Sequence, residues 1–148
     1  MDWFHSTYIN KIDRKGRVSV PADFRAVLAR RGSGRLVLYP SVYFAAVDGA
    51  PDDYLDDINR RIEALPPSSQ ERDDLIDSIM PVIQTFVCDS EGRVVLPEGL
   101  IAHAGLSESA AFVGRGPSFQ IWEPEAFRQR EAEARARTRN LRAAAGAR

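Results

Sequence analysis

Two arginines 76 residues apart, Arg17 and Arg93, stand in the same setting. Asp13-Arg14-Lys15-Gly16-Arg17-Val18-Ser19-Val20-Pro21 and Asp89-Ser90-Glu91-Gly92-Arg93-Val94-Val95-Leu96-Pro97 share the pattern D-x-[KE]-G-R-V-x-[VL]-P. A guanidinium placed this way has two chemistries open to it. It can pair across the turn with the aspartate four residues earlier, or it can present its planar fork of donors to an external partner. Spacing alone leaves both open. Catalytic chemistry is poorly served elsewhere: His5 and His103 are the only histidines, Cys88 is the only cysteine, and no Ser, His and acid grouping has the context of a nucleophile elbow. Gly32-Ser33-Gly34 and Gly114-Arg115-Gly116 are too short for a Walker or dinucleotide phosphate loop. No enzyme activity and no cofactor are therefore expected. Asp52, Asp53, Asp56 and Asp57 read as the acidic start of a helix, which the helix dipole favours, and not as a metal site.

The repeated motif marks a tandem duplication, and each of its positions has a backbone reason. Asp opens a turn by bonding the backbone two residues on, and Gly accepts the positive φ of the tight turn. Residues 8–12 and 85–88 enter the turns as β-prone runs, and 18–20 and 94–96 leave them, which predicts two β-hairpins. Cys88 then falls in an apolar strand as a small core residue. Pro21 and Pro97 end the hairpins and open helices. Phe24, Val27 and Leu28 give the first helix its apolar face, and Leu100, Ile101 and Ala104 give the second. Strand pairs follow at 35–39 with 43–47, and at 110–114 with 119–122, so each half reads ββ, α, ββ and then a longer helix. The spacing predicts a helix over about 51–65, stopped by Pro66-Pro67. A second one is capped by Ser68 with Glu71 three residues on, and a third runs from Glu123 through roughly Asn140 and frays over 143–148. The expected organisation is a first repeat at 7–54, a helical connector at 55–82, a second repeat at 83–126 and an Arg-rich helix and tail at 127–148.

A chain of 148 residues can bury roughly 70% of its unfolded surface, so it needs no disulfide or metal support. One cysteine excludes an internal disulfide and a multi-cysteine zinc site. There is no secretory leader pattern and no run of about 18 apolar residues, so a soluble cytoplasmic protein is expected, without a membrane partner. The net charge of −1 conceals a segregation: residues 1–35 hold eight Lys/Arg against three Asp/Glu, and residues 48–80 hold three against ten. A basic patch around the first hairpin would thus lie opposite an acidic helical layer, which keeps nucleic-acid binding open despite a pI near 6.

The sequence resembles the MraZ family of bacterial regulators, built from two SpoVT/AbrB-type repeats. The likeness is carried over about residues 3–127 by the two D-x-x-G-R-[VIL] turns, the proline-led helices, Ala104-Gly105-Leu106, Val113-Gly114 and Phe119-Gln120-Ile121-Trp122. It implies an α+β fold of tandem AbrB-like repeats, swapped-hairpin or double-split βαβ, with pseudo-twofold symmetry and peripheral helices. It also implies ring-shaped homo-oligomers bound to direct repeats in double-stranded DNA near the promoter of the division and cell-wall gene cluster, and hence a nucleoid-associated transcriptional regulator. The family's DNA-contacting hairpin falls on Lys15, Gly16 and Arg17, with Arg14 beside them and Arg93 as the counterpart in the second repeat. An Arg on such a hairpin can bond guanine O6 and N7 in the major groove, while Lys15 supplies charge to a phosphate. Glu91 stands where Lys15 stands, and Ile101 where Arg25 stands, so the second repeat is expected to be the weaker one. Two other readings are an AbrB-type antitoxin and an oligomeric protein-interaction module using the acidic layer or the Arg-rich tail.

Overall fold

A computed structural model describes residues 2–146. The first repeat contributes β1 (Thr7–Lys11), β2 (Arg17–Ser19), α1 (Ala22–Arg30), β3 (Leu36–Pro40) and β4 (Val47–Pro51). A 3-10 turn (Asp52–Tyr54), α2 (Leu55–Glu63) and α3 (Gln70–Ile79) follow. The second repeat contributes β5 (Gln84–Phe86), β6 (Arg93–Val95), α4 (Glu98–Ala104), β7 (Ser109–Gly114) and β8 (Phe119–Trp122), and α5 (Pro124–Gly146) closes the described chain.

Six strands form one antiparallel sheet in the order β1-β7-β8-β4-β3-β5, and β2 pairs with β6 in a separate two-stranded ribbon. Exchanging each strand for its counterpart in the other repeat leaves both orders unchanged. The entering strand of each repeat joins the sheet beside the other repeat, β1 on β7 and β5 on β3. The two local hairpins expected from the sequence are therefore corrected. The segment just after β1 makes an isolated bridge to β2, Ile12 to Val18, and Asn10 Nδ2 donates to Ser19 O at 2.7 Å, but the ladder partner of each ribbon strand comes from the other repeat. The reason is burial: Val18, Val20, Val94 and Leu96 pack as one group only when the two short strands lie side by side.

The sheet separates two layers. One face, with Leu36, Leu38, Val47, Phe112, Phe119 and Ile121, is covered by α1, α4 and the inner side of the ribbon. Phe24 sits at its centre, its ring 5.2 Å from Phe4, 5.6 Å from Tyr8 and 5.3 Å from Phe119. Val37, Tyr39 and Ala50 on the opposite face pack under α2 and α3 through Tyr54, Ile58, Ile62 and Ile79. Farther along that face Ala111, Val113 and Trp122 meet Ala126 and Phe127 of α5. The acidic helices and the ribbon thus lie on opposite sides of the sheet.

Four local readings change. The strand placed at 43–47 lies at Val47–Pro51 instead, and Tyr43 is 85% exposed in the preceding loop. β-propensity favoured the aromatic run, but Gly49 is required where the Phe119 ring crosses: a Cβ there would stand 2.4 Å from it. Ser69, not Ser68, caps α3 by accepting the Arg72 N–H; Ser68 has φ 63° in the turn after the two prolines. Cys88 lies beyond β5 and is half-buried against the core. The C-terminal helix, expected to fray from 143, continues to Gly146; positions 147 and 148 lie outside the described residues.

Candidate nucleic-acid interface

Both turns are built alike. Asp13 Oδ1 accepts the Lys15 and Arg17 N–H groups at 2.9 Å each, and Asp89 Oδ1 accepts those of Glu91 and Arg93 at the same distance. Gly16 (φ 80°) and Gly92 (φ 78°) supply the left-handed conformation that closes each turn. The second carboxylate oxygen holds the arginine: Arg17 Nε donates to Asp13 Oδ2 at 2.6 Å, and Arg93 Nε to Asp89 Oδ2 at 3.0 Å. Backbone N–H groups above all, Arg17's on Asp13 and Arg93's on Asp89, hold both carboxyls below the usual carboxylate range.

The pairing across the turn leaves the outward chemistry of Arg17 intact. Its Nε is occupied, and among the described residues neither of its terminal nitrogens has a hydrogen-bond or ion-pair partner. Those two nitrogens are the pair that can meet guanine O6 and N7 end-on, with the clamp fixing the side chain beforehand. Arg93 is more occupied, because its Nη2 also meets Glu91 Oε2 at 3.0 Å.

The ribbon register places these side chains. Arg17 lies opposite Val95, Val18 opposite Val94, and Ser19 opposite Arg93. Flanking bonds from Leu96 N–H to Gly16 O and from Val20 N–H to Gly92 O lengthen the pairing at both ends. Side chains alternate along a strand, so Val18 and Val94 face the core while Arg17, Ser19, Arg93 and Val95 share the outer face. Arg17 and Arg93 are diagonal neighbours there, about 7–8 Å apart at Cα. A two-stranded ribbon with an exposed, mostly polar outer face is one of the two elements that fit the major groove of B-DNA. Arg14 and Lys15 are exposed at the tip of the first turn.

The swap also changes the electrostatics expected for the repeats. The first turn holds Arg14, Lys15 and Arg17 against Asp13, and the second holds Arg93 against Asp89 and Glu91. Arg25 of the first repeat, however, lies over the second turn: a Cβ on Gly92 would come within 2.6 Å of its Cζ, and its Nε donates to Val20 O at 3.1 Å. Ile101, its counterpart, lies beside Gly16 of the first turn, with Cδ1 3.6 Å from a Cβ placed there. The second repeat itself supplies less positive charge, as expected, but Arg25 of the first repeat lies beside the second turn and Ile101 of the second repeat beside the first.

Three of the four acidic residues at 52–57 are engaged locally. Asp52 accepts from Ser33 Oγ at 2.6 Å, Asp53 pairs with Arg31 at 3.4 Å, and Asp57 pairs with Arg60. Among the described residues no group of three or more His, Cys, Asp or Glu is placed to hold a metal ion, and no helix is long and apolar enough to cross a membrane. Sequence reasoning did not foresee a cavity of about 450 Å³ on the α2–α3 side of the sheet, lined in part by Tyr39, Asp48, Arg61, Arg115 and Gln120. Burial pushes the Asp48 carboxyl up, opposed by the hydrogen bond from Gln120 at 2.8 Å.

Comparison with known proteins agrees with this architecture. A family model described as "MraZ protein, putative antitoxin-like" matches residues 84–147. A protein of Xanthobacter autotrophicus named "Transcriptional regulator MraZ" is 45% identical over 148 residues, covering all of this chain and 94% of the relative. Proteins of the same name from Beijerinckia indica and Rickettsia canadensis are 45% and 41% identical, covering 96% and 86% of this chain and 87% and 85% of theirs. Identity of this extent over both repeats places the chain in the MraZ family.

Proposed function

We propose that this protein is a sequence-specific DNA-binding transcriptional regulator whose ribbon enters the major groove with its outer face against the bases. The observation that carries the reading is Arg17: clamped at Nε by Asp13, with its terminal nitrogens unpartnered among the described residues, on the outer face of a two-stranded ribbon. The name its relatives carry, transcriptional regulator, supports it. Arg17 reads a guanine, Lys15 and Arg14 hold phosphates, the Gly16 backbone lets the turn approach closely, and Arg93 adds a second, weaker contact.

One ribbon makes few base contacts, so a single subunit binds modestly. Several subunits joined in a closed ring and facing tandem DNA repeats raise the effective concentration, and so the avidity. A ring requires two different faces on each subunit, which two non-identical repeats, 7–54 and 83–126, can supply. The proposed target is the promoter of the protein's own operon, in the division and cell-wall gene cluster, which makes the protein cytoplasmic and nucleoid-associated.

The antitoxin reading uses the same ribbon but needs a toxin-binding segment. The ribbon here is completed within one chain by β2 and β6, which removes the need for a second chain to form it. Footprinting on DNA upstream of the protein's own gene tests the proposal. Protection of regularly spaced tandem sites at physiological salt is expected; protection that vanishes with non-specific competitor would overturn it. Half-turn insertions between the sites should reduce affinity if several subunits engage one face of the duplex.

A further inference from the structure

The outer face of the ribbon carries one apolar side chain. Val95 is 54% exposed on a short strand whose other outward residue is Arg93. Its counterpart in the first repeat is Ser19, 76 residues earlier. The register sets Val95 directly opposite Arg17 and Ser19 directly opposite Arg93. These are the closely spaced, non-hydrogen-bonded cross-strand pairs, because the flanking hydrogen bonds join Gly16 with Leu96 and Val20 with Gly92, each one position beyond them.

We propose that Val95 is a specificity-determining residue that packs on the C5-methyl group of a thymine adjacent to the guanine engaged by Arg17. This rests on the ribbon entering the major groove. Of the four bases, only thymine presents an apolar group in that groove, and a branched aliphatic side chain with no polar atom can distinguish bases only through it. Val95 contributes nothing to the core, since its neighbours Val94 and Leu96 turn inward at 3% and 2% exposure. Ser19 can meet either a donor or an acceptor. The two diagonal halves of the ribbon therefore read unlike bases, Arg17 with Val95 and Arg93 with Ser19. Each subunit recognises an asymmetric sequence although its two strands come from equivalent repeats.

The test uses the full-length protein and the tightest duplex recovered by selection from random DNA. Each thymine is replaced singly by deoxyuridine, which removes only the methyl group. At one position next to the guanine lost in Arg17→Ala, deoxyuridine should weaken the wild-type protein about three- to fourfold, the worth of one buried methyl. Val95→Ala should be insensitive to that replacement, and Val95→Ser should accept other bases there. No sensitive position, or an equal loss in wild type and Val95→Ala, would overturn the proposal while leaving the ribbon reading standing. If Arg17→Ala also binds the selected duplex as wild type does, the ribbon reading itself fails.

Discussion

The guanidinium of Arg25 lies against the turn glycine of the opposite repeat, so closely that a Cβ on Gly92 would meet its Cζ at 2.6 Å. The two repeats are thus coupled at the turns as well as through the ladder. Gly92→Ala should destabilise the fold in urea unfolding by about 1–2 kcal/mol from the left-handed backbone alone, with a further loss from Arg25. In an Arg25→Ala background that further loss should disappear. Equal effects in both backgrounds would mean that Arg25 moves freely out of the way.

Asp13 and Asp89 titrate below the usual carboxylate range because they accept backbone N–H groups in the folded turns. Their folded values lie below their unfolded ones. Their contribution to stability is therefore present above the unfolded value of about 3.9 and lost as pH falls through the folded one. Protection of the Lys15 and Arg17 amides against exchange, relative to an unstructured peptide, should hold above about pH 4 and fall below it. Asp13→Asn keeps an acceptor for the turn but offers no charge to Arg17 Nε, so specific DNA binding should weaken more than stability does.

Glu91 sits at the second turn and pairs with Arg93 Nη2. Glu91→Lys removes that pair and adds a cation where Lys15 stands in the first turn. Binding should strengthen, mainly to non-specific DNA, and the salt dependence should steepen by up to roughly one phosphate contact. An unchanged slope would place the second turn away from DNA.

Phe24 joins α1 to the sheet at the centre of the aromatic cluster and is 1% exposed. Phe24→Ala should cost about 3–5 kcal/mol, read by chemical denaturation. A loss below 1 kcal/mol would show that Phe4 and Phe119 collapse into the space.

The local chemistry of the site was legible in the sequence, and its partners were not. Asp13, Gly16 and Arg17 announce a turn because each acts within four residues of the others, and Phe24, Val27 and Leu28 announce a helix face by spacing. The pairing of β2 with β6 leaves no local mark, because Val18 and Val94 would serve equally well in two separate hairpins. The swap was implied by the family resemblance alone, so the placement of Arg25 over Gly92 and the facing of Arg17 and Val95, which follow from it, could not be read from spacing. The strand at Val47–Pro51 was obscured by its composition: Asp48 and Gly49 are poor strand formers, present there for Gln120 and the Phe119 ring.

If the outer face of the ribbon reads DNA through Arg17, loss of that side chain must show in the specific affinity. Affinity for the selected duplex and for scrambled DNA, measured at one salt concentration for wild type, Arg17→Ala and Arg17→Lys, tests it most directly. A bidentate Arg–guanine contact is worth about 1–3 kcal/mol, so Arg17→Ala should lose roughly tenfold or more of its specific affinity with folding and oligomer size retained. Arg17→Lys should recover non-specific but not specific binding. A folded Arg17→Ala protein that still prefers the selected duplex as strongly as wild type would contradict the account.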